Sequence, residues 1–515
     1  MPSPQEKLAS ALATLKKLQD RRLRAIPGTK LSRVAREALL RGGFLREVIR
    51  GWYIASRPDE AEGDTTAWYG GMREFVAGYA RQRFGDRWHV NPEQSLLLRA
   101  GERTVPGQTQ IWAIDGTNQT VQLLHGCSLF IYQAPKLLPA SPVGDAGGLR
   151  LVELPAALAA ASPTLFVQHP MAAQIALASL RDASDVLRIL LGGSHPAVAS
   201  RLAGAFRAIE RPALADEILG AMRGAGYVIR EVNPFEKALA TATPGGRAES
   251  PHVQRLRLMW SEMRARVIAA FPPAPGAPAD IGQVLRDVEA RYVTDAYHSL
   301  SIEGYRVSPT LIQKLRDGSW NPDADAQDRA MRDAMAARGY FETHELVKED
   351  LVRALKGENP GTVFRRALSR WYQALFAPGV QAGILKPADL AGYRNDQVFI
   401  RGALHVPVPK EAVRECMPAL FELLEAETEA SVRAVLGHFV FVYIHPYMDG
   451  TGRLGRFLMN LMLVSAGYVW TVIPVEQRDE YMRALEQASS FGNIGPFADG
   501  LARAQSKAPL RSPRP

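Results

Sequence analysis

Residues 445 to 456 of this 515-residue chain read His-Pro-Tyr-Met-Asp-Gly-Thr-Gly-Arg-Leu-Gly-Arg. The stretch places a candidate base (His445), a carboxylate (Asp449), two glycines (Gly450, Gly452) and two arginines (Arg453, Arg456) close together. An imidazole titrates near working pH and can take a proton from an incoming hydroxyl. A carboxylate beside phosphates suits magnesium, which prefers oxygens of both kinds. The glycines let backbone N–H groups close around an anion, and a helix starting near Arg453 would add its positive end. Arg453 and Arg456, three apart, share a helix face and can reach one polyphosphate. Any one of these residues is more simply a cap or a salt-bridge partner. Together they describe a grip on a magnesium-bound nucleotide and the transfer of part of it to a hydroxyl.

The elements that must hold this stretch are legible on either side of it. Val432–Ile444 is apolar with helical spacing, and Pro446 stops that helix because the residue before a proline disfavours the helical region. From Phe457 to Val475 no residue is charged, but Asn460, Ser465, Gly467, Thr471 and Pro474 interrupt the run. That pattern predicts a buried helix followed by a strand and not a membrane span. The first ten residues, MPSPQEKLAS, contain no apolar segment of signal-peptide type. Cys127 and Cys416 are the only cysteines and have no metal-ligand spacing, which argues against a disulfide scaffold or structural zinc. With 47% hydrophobic and 22% charged residues, a soluble, cytoplasmic protein of several domains is expected.

The net charge of +9 is concentrated at the two ends: residues 1–60 carry +7 and residues 503–515 carry +4. In 1–60, apolar Leu8, Leu12, Leu15 and Leu18 predict a first helix, and Ser32 is placed to cap a second, Arg33–Leu40. Phe44–Ile49 and Trp52–Ile54 read as a hairpin. This is a winged-helix pattern, and Arg33, Arg36, Arg46 and Arg50 suit phosphate contacts with DNA or, equally, a basic protein-docking face. Residues 61–240 mix short strands with Ala/Leu-rich helices, an α+β middle domain without a chemical motif. Residues 241–280 read as a Pro/Gly-rich linker with one helix, 281–503 as helical, and 504–515 as a basic disordered tail.

HPYMDGTGRLGR resembles the signature of the Fic family, H-P-F-x-D/E-G-N-G-R-x-x-R, with Tyr447 for Phe and Thr451 for Asn. The resemblance, which covers residues 281–500, implies transfer of AMP from Mg-ATP to a hydroxyl side chain of a protein. His445 would be the base and Asp449 would hold Mg²⁺. Gly450, Thr451, Gly452, Arg453 and Arg456 would bind the nucleotide, and Tyr481 would line the adenine side or belong to the core. Residues 392–409 look like the family's β-hairpin flap, whose Val398, Phe399 and Ile400 would offer an edge to a target segment. Ser299-Leu-Ser-Ile-Glu303-Gly304 matches the inhibitory pattern S/T-x-x-x-E-G/N. In such proteins the glutamate pairs with the second arginine of the signature, here Glu303 with Arg456.

The N-terminal half is faintly similar to AbiEi-type antitoxin regulators. The fold expected is mainly α: an all-helical Fic domain with a β-hairpin flap, preceded by a winged-helix unit and an α+β middle domain. The partners expected are ATP, a protein substrate and DNA through residues 1–60, with no membrane and with a homo-oligomer compatible. Thr451 leaves UMP transfer, phosphate transfer or AMP removal open, and a nucleotide-sensing regulator of toxin–antitoxin type is the reading from another class.

Overall fold

The computed structural model describes residues 3–21, 23–60, 63–144, 146–235, 249–317 and 331–507. The chain is mainly helical and divides into two compact units, Met1–Thr241 with Phe399–Val406, and Ala242–Val398 with Pro407–Pro515.

The first unit opens with the helix Pro4–Asp20, started by a reciprocal cap between Ser3 and Glu6 and burying Ala11, Leu15 and Leu18. The strands β1 (Ala25–Pro27), β2 (Leu45–Ile49) and β3 (Trp52–Ala55) form an antiparallel sheet in the order β1-β3-β2. Between β1 and β2 lies the helix Arg33–Arg41, whose Ala35 N–H is accepted by the Ser32 hydroxyl at 3.2 Å. Residue 60 is no break in the packing. Ala25, Trp52 and Ile54 share one core with Trp68, Phe75 and Ala80 of the helix Thr66–Phe84.

That core continues into β4 (Trp88–Val90), β5 (Gln108–Ala113), β6 (Gln119–Gln122) and β7 (Ser128–Gln133), ordered β4-β5-β7-β6 with β5 and β7 parallel. Helices from Leu154 to Gly224 form a second core around Phe166, Leu202 and Phe206.

The second unit is all-helical among its described residues. At its centre an antiparallel pair, Ala430–Ile444 and Thr451–Ser465, is buried along almost its whole length. Met331–Leu355 and Pro360–Gln381 pack around it, placing Tyr340, Trp371 and Phe364 at the interior. A helix apolar on every face belongs in a core, and this is why the uncharged run after Arg456 needs no membrane. No helix among the described residues is long and apolar enough to cross one.

Three local expectations are corrected. The strand anticipated after Phe457 does not form: the helix ends at Ser465, and residues 468–474 belong to no strand or helix. The side-chain amide of Asn460 takes over the missing ladder, donating to Thr471 O at 3.0 Å and accepting from Thr471 N at 2.7 Å. The basic tail is helical as far as Lys507; the residues beyond it, and the first linker from 236 to 248, lie outside the described segments. The flap at 392–409 has no strand ladder between its arms. Pro407 and Pro409 remove donors from the second arm. Its tip instead pairs within the first unit, Val105 N–H donating to Leu404 O at 3.0 Å, while Phe399 packs on Gly70 beneath the Arg24 guanidinium.

Candidate active site

His445 ends the helix Ala430–Ile444 in a left-handed conformation (φ 53°), which a non-glycine residue adopts at a cost of about 1 kcal/mol. Such a conformation persists only when its surroundings hold it. Here Arg394, 1% exposed, donates Nε to His445 O at 2.7 Å, its other nitrogens reach the carbonyls of Asp396, Val408 and Ile444, and its N–H reaches Pro446 O at 2.9 Å. The loop is also wedged by Tyr447, stacked 4.0 Å from Tyr372. Desolvation, followed by the positive charge of Arg394, pushes the His445 pKa down to about 4, so the imidazole is neutral at pH 7. Its Nδ1 is buried.

Asp449 is exposed at the other end of the loop. Its Oδ1 accepts from Gly450 N–H at 2.6 Å and from Arg453 at 3.0 Å. Partial desolvation by the surrounding protein works to raise its pKa, but the Arg453 charge and these donors outweigh it and hold the carboxyl below its ordinary range. A carboxylate kept ionised, with Oδ1 as the oxygen that accepts from the arginine, fits a divalent cation. Gly450 (φ 85°) admits the turn, where a Cβ would also strike Phe376. Thr451 begins the motif helix, two residues earlier than the sequence pattern suggested.

The two arginines do not point at one open space. Arg453 is buried between the rings of Tyr305 and Phe376, 5.0 and 5.2 Å from their centroids, and pairs with Asp449. Arg456 donates to the Ser299 hydroxyl at 2.8 Å, to Ser299 O at 3.0 Å and to Glu303 Oε1 at 2.8 Å. Glu303 stands at the C-terminal end of the helix Ile281–Ile302, an unfavourable place for a negative charge, and Gly304 (φ 86°) turns the chain away behind it. The carboxylate settles at the positive start of the motif helix instead. A Cβ on Gly452 would collide with Glu303 Oε1. The space that this glycine leaves at the helix start therefore holds the protein's own carboxylate.

Tyr481 is buried, and its hydroxyl meets Nε2 of the buried His438 at 2.8 Å. It lines a cavity of about 470 Å³ together with Trp470, Ile473, Phe497 and Leu501. Val398 is 9% exposed in the second unit, whereas Phe399 and Ile400 belong to the first. There Arg36 lies over Tyr53, and Arg46 contacts His125 and Glu60. Arg33 is exposed and paired with Glu37, and Arg50 is exposed. Arg394 and Tyr305 escaped the sequence reading, because nothing local marks an arginine that is buried by carbonyls 14 to 51 residues away.

Residues 366–463 match the Fic/DOC family. This segment is a Fic domain. The chain is also similar to proteins named Protein adenylyltransferase Fic. One, from Drosophila willistoni, is 30% identical over 220 residues, 42% of this chain and 40% of the relative. Another, from Nematostella vectensis, is 28% identical over 231 residues, 44% of this chain and 50% of the relative. The chain thus spans half or less of the length of these curated relatives. Among solved structures, Fic-1 (residues 134–508) from C. elegans overlaps with a TM-score of 0.36 at 17% identity, covering 65% of this chain and 89% of that one. An overlap of that degree carries no weight for the site.

Proposed function

We propose that this protein is a self-inhibited adenylyltransferase that moves AMP from ATP to a hydroxyl side chain of a protein, itself included. The observation that carries the reading is Glu303 seated at Gly452 and paired with Arg456, at the start of the motif helix. A nest of N–H groups at such a helix start suits phosphate, and a fixed carboxylate in it competes with another anion.

His445 Nε2 takes the proton of the attacking hydroxyl. The hydroxyl oxygen bonds to the α-phosphorus, the bond from that phosphorus to the bridging oxygen breaks, and pyrophosphate leaves. Asp449 would hold the magnesium ion, which would supply charge neutralisation at the phosphates. The N–H groups of Thr451 and Gly452, at the start of the motif helix, hold the developing negative charge. Arg456, once free of Glu303, is left to bind the terminal phosphate.

The relatives named adenylyltransferase support AMP as the transferred group over UMP or phosphate. The deciding experiment is self-labelling of the wild type, Glu303→Gly and Glu303→Gly/His445→Ala with α-³²P-ATP and γ-³²P-ATP. Label from the α-position, only in Glu303→Gly, is expected. Label from γ would make the protein a kinase, and equal labelling of the wild type would remove the inhibition.

For residues 1–60, the +7 charge supports contact with DNA, through the exposed Arg50 and Arg33, the latter in an exposed pair with Glu37, in place of the half-buried Arg36 and Arg46. A gel shift that weakens steeply with salt in the wild type and is lost in Arg33→Ala/Arg50→Ala checks this.

A further inference from the structure

We infer that the inhibitory segment closes the site at a second point: the hydroxyl of Tyr305 occupies the oxygen of Asp449 that a metal must reach. This deepens the adenylyltransferase reading and rests on it for the identity of the site. Asp449 has two carboxylate oxygens with different fates. Oδ1 is consumed by Gly450 N–H and Arg453, at 2.6 and 3.0 Å. Oδ2 is the one left for a cation, and Tyr305 donates its hydroxyl to it at 3.3 Å.

The phenol is held in place. Its ring lies under the Arg453 guanidinium at 5.0 Å, and Arg332 stands 5.5 Å from its centroid. Gly304, in the left-handed region at φ 86°, separates Glu303 from Tyr305 and turns the backbone so that both side chains enter the same site. One three-residue step of chain thus sets a carboxylate in the phosphate nest and a phenol on the metal ligand. The two contacts are chemically independent. Removing Glu303 vacates the nest but leaves the phenol on Oδ2, so a cation must still displace a hydrogen bond to a charged acceptor.

The test is metal affinity, read without turnover. Mn²⁺ is titrated into the full chain with saturating α,β-methylene-ATP, free Mn²⁺ being followed by its electron paramagnetic resonance signal, with Asp449→Asn as background. Tyr305→Phe keeps the ring over Arg453 and removes only the hydroxyl. It should tighten Mn²⁺ roughly tenfold, in the wild type and in Glu303→Gly alike, the lower end expected for one hydrogen bond to a charged group. Unchanged or weaker affinity would overturn the proposal, as would Mn²⁺ binding that does not depend on Asp449. If Glu303→Gly fails to self-label, the transfer reading falls while this titration still decides the role of Tyr305.

Discussion

Arg394 donates its Nε to the backbone carbonyl of His445 at 2.7 Å, joining the start of the flap region to the strained residue that carries the base. The contact fixes the base through its backbone and leaves the ring to do chemistry. Arg394→Ala would strand several buried carbonyls and release the left-handed conformation. In a Glu303→Gly background it should lower the self-labelling rate at least roughly tenfold, and destabilise the chain by about 3 kcal/mol, the cost of removing a buried charged donor. A labelling time course and thermal unfolding check the two effects. A wild-type rate would mean that His445 is held by Tyr447 and Pro446 alone.

His445 sets the pH dependence. Its pKa falls from an ordinary 6.5 to about 4, so the base remains unprotonated well into acid. Glu303 works against that shift, and its removal lowers the value further. The acid limb of kcat/KM for Glu303→Gly should therefore lie clearly below pH 6.5. Stability runs the other way: between these values the unfolded chain binds protons that the folded imidazole refuses. His445, and His438 with its pKa also near 4, thus make the fold less stable as pH drops from 6.5 toward 4. A pH–rate profile, bounded by circular dichroism to exclude unfolding, separates the two. A limb centred at 6.5 or above would contradict the buried, neutral base.

Asn460 offers a test confined to stability. Its amide makes both hydrogen bonds to Thr471 that a neighbouring strand would have made, and it is 1% exposed. Asn460→Ala leaves a buried N–H and a buried carbonyl unpaired, which should cost about 2–4 kcal/mol. Thermal unfolding measures the loss. Asn460→Asp, which keeps an acceptor for Thr471 N–H and loses the donor, should also be destabilised, because it faces the Thr471 carbonyl with another acceptor.

These residues also mark how far the sequence could be read. The motif was legible because its chemistry is contiguous: His445, Asp449, Gly450, Gly452 and Arg456 are neighbours in the chain as well as in space. Helices were legible where one period rules, as in the run Val432–Ile444, found as Ala430–Ile444. The Ser32 cap was legible because a cap is a local hydrogen bond. What failed was decided at long range. An apolar run such as 468–473 suits a strand, but whether a partner strand exists depends on elements elsewhere. Here a side-chain amide eleven residues back took that part. The flap failed for the same reason: residues 392–409 look like a hairpin, yet the backbone of 404–406 finds its partners at residues 103 and 105. Tyr305 carried no signal, since its meaning depends on Asp449, 144 residues away.

Gly452 is where inhibition and catalysis make the same demand on one atom. A Cβ there would strike Glu303 Oε1 and approach Arg456. Gly452→Ala should therefore loosen the Glu303 latch, lowering the unfolding temperature of an otherwise wild-type chain. It should not release activity as Glu303→Gly does, because the methyl group also fills the nest that the phosphates need. The double variant Glu303→Gly/Gly452→Ala separates the two effects. With the latch gone, an added Cβ has no clash with Glu303 to relieve and can only obstruct the nucleotide. Self-labelling of the double variant should fall at least roughly tenfold below Glu303→Gly, the loss expected when two or three donors no longer reach an anion. If it labels as fast as Glu303→Gly, the phosphates do not lie at Gly452, and Glu303 blocks the site by some route other than occupying their place.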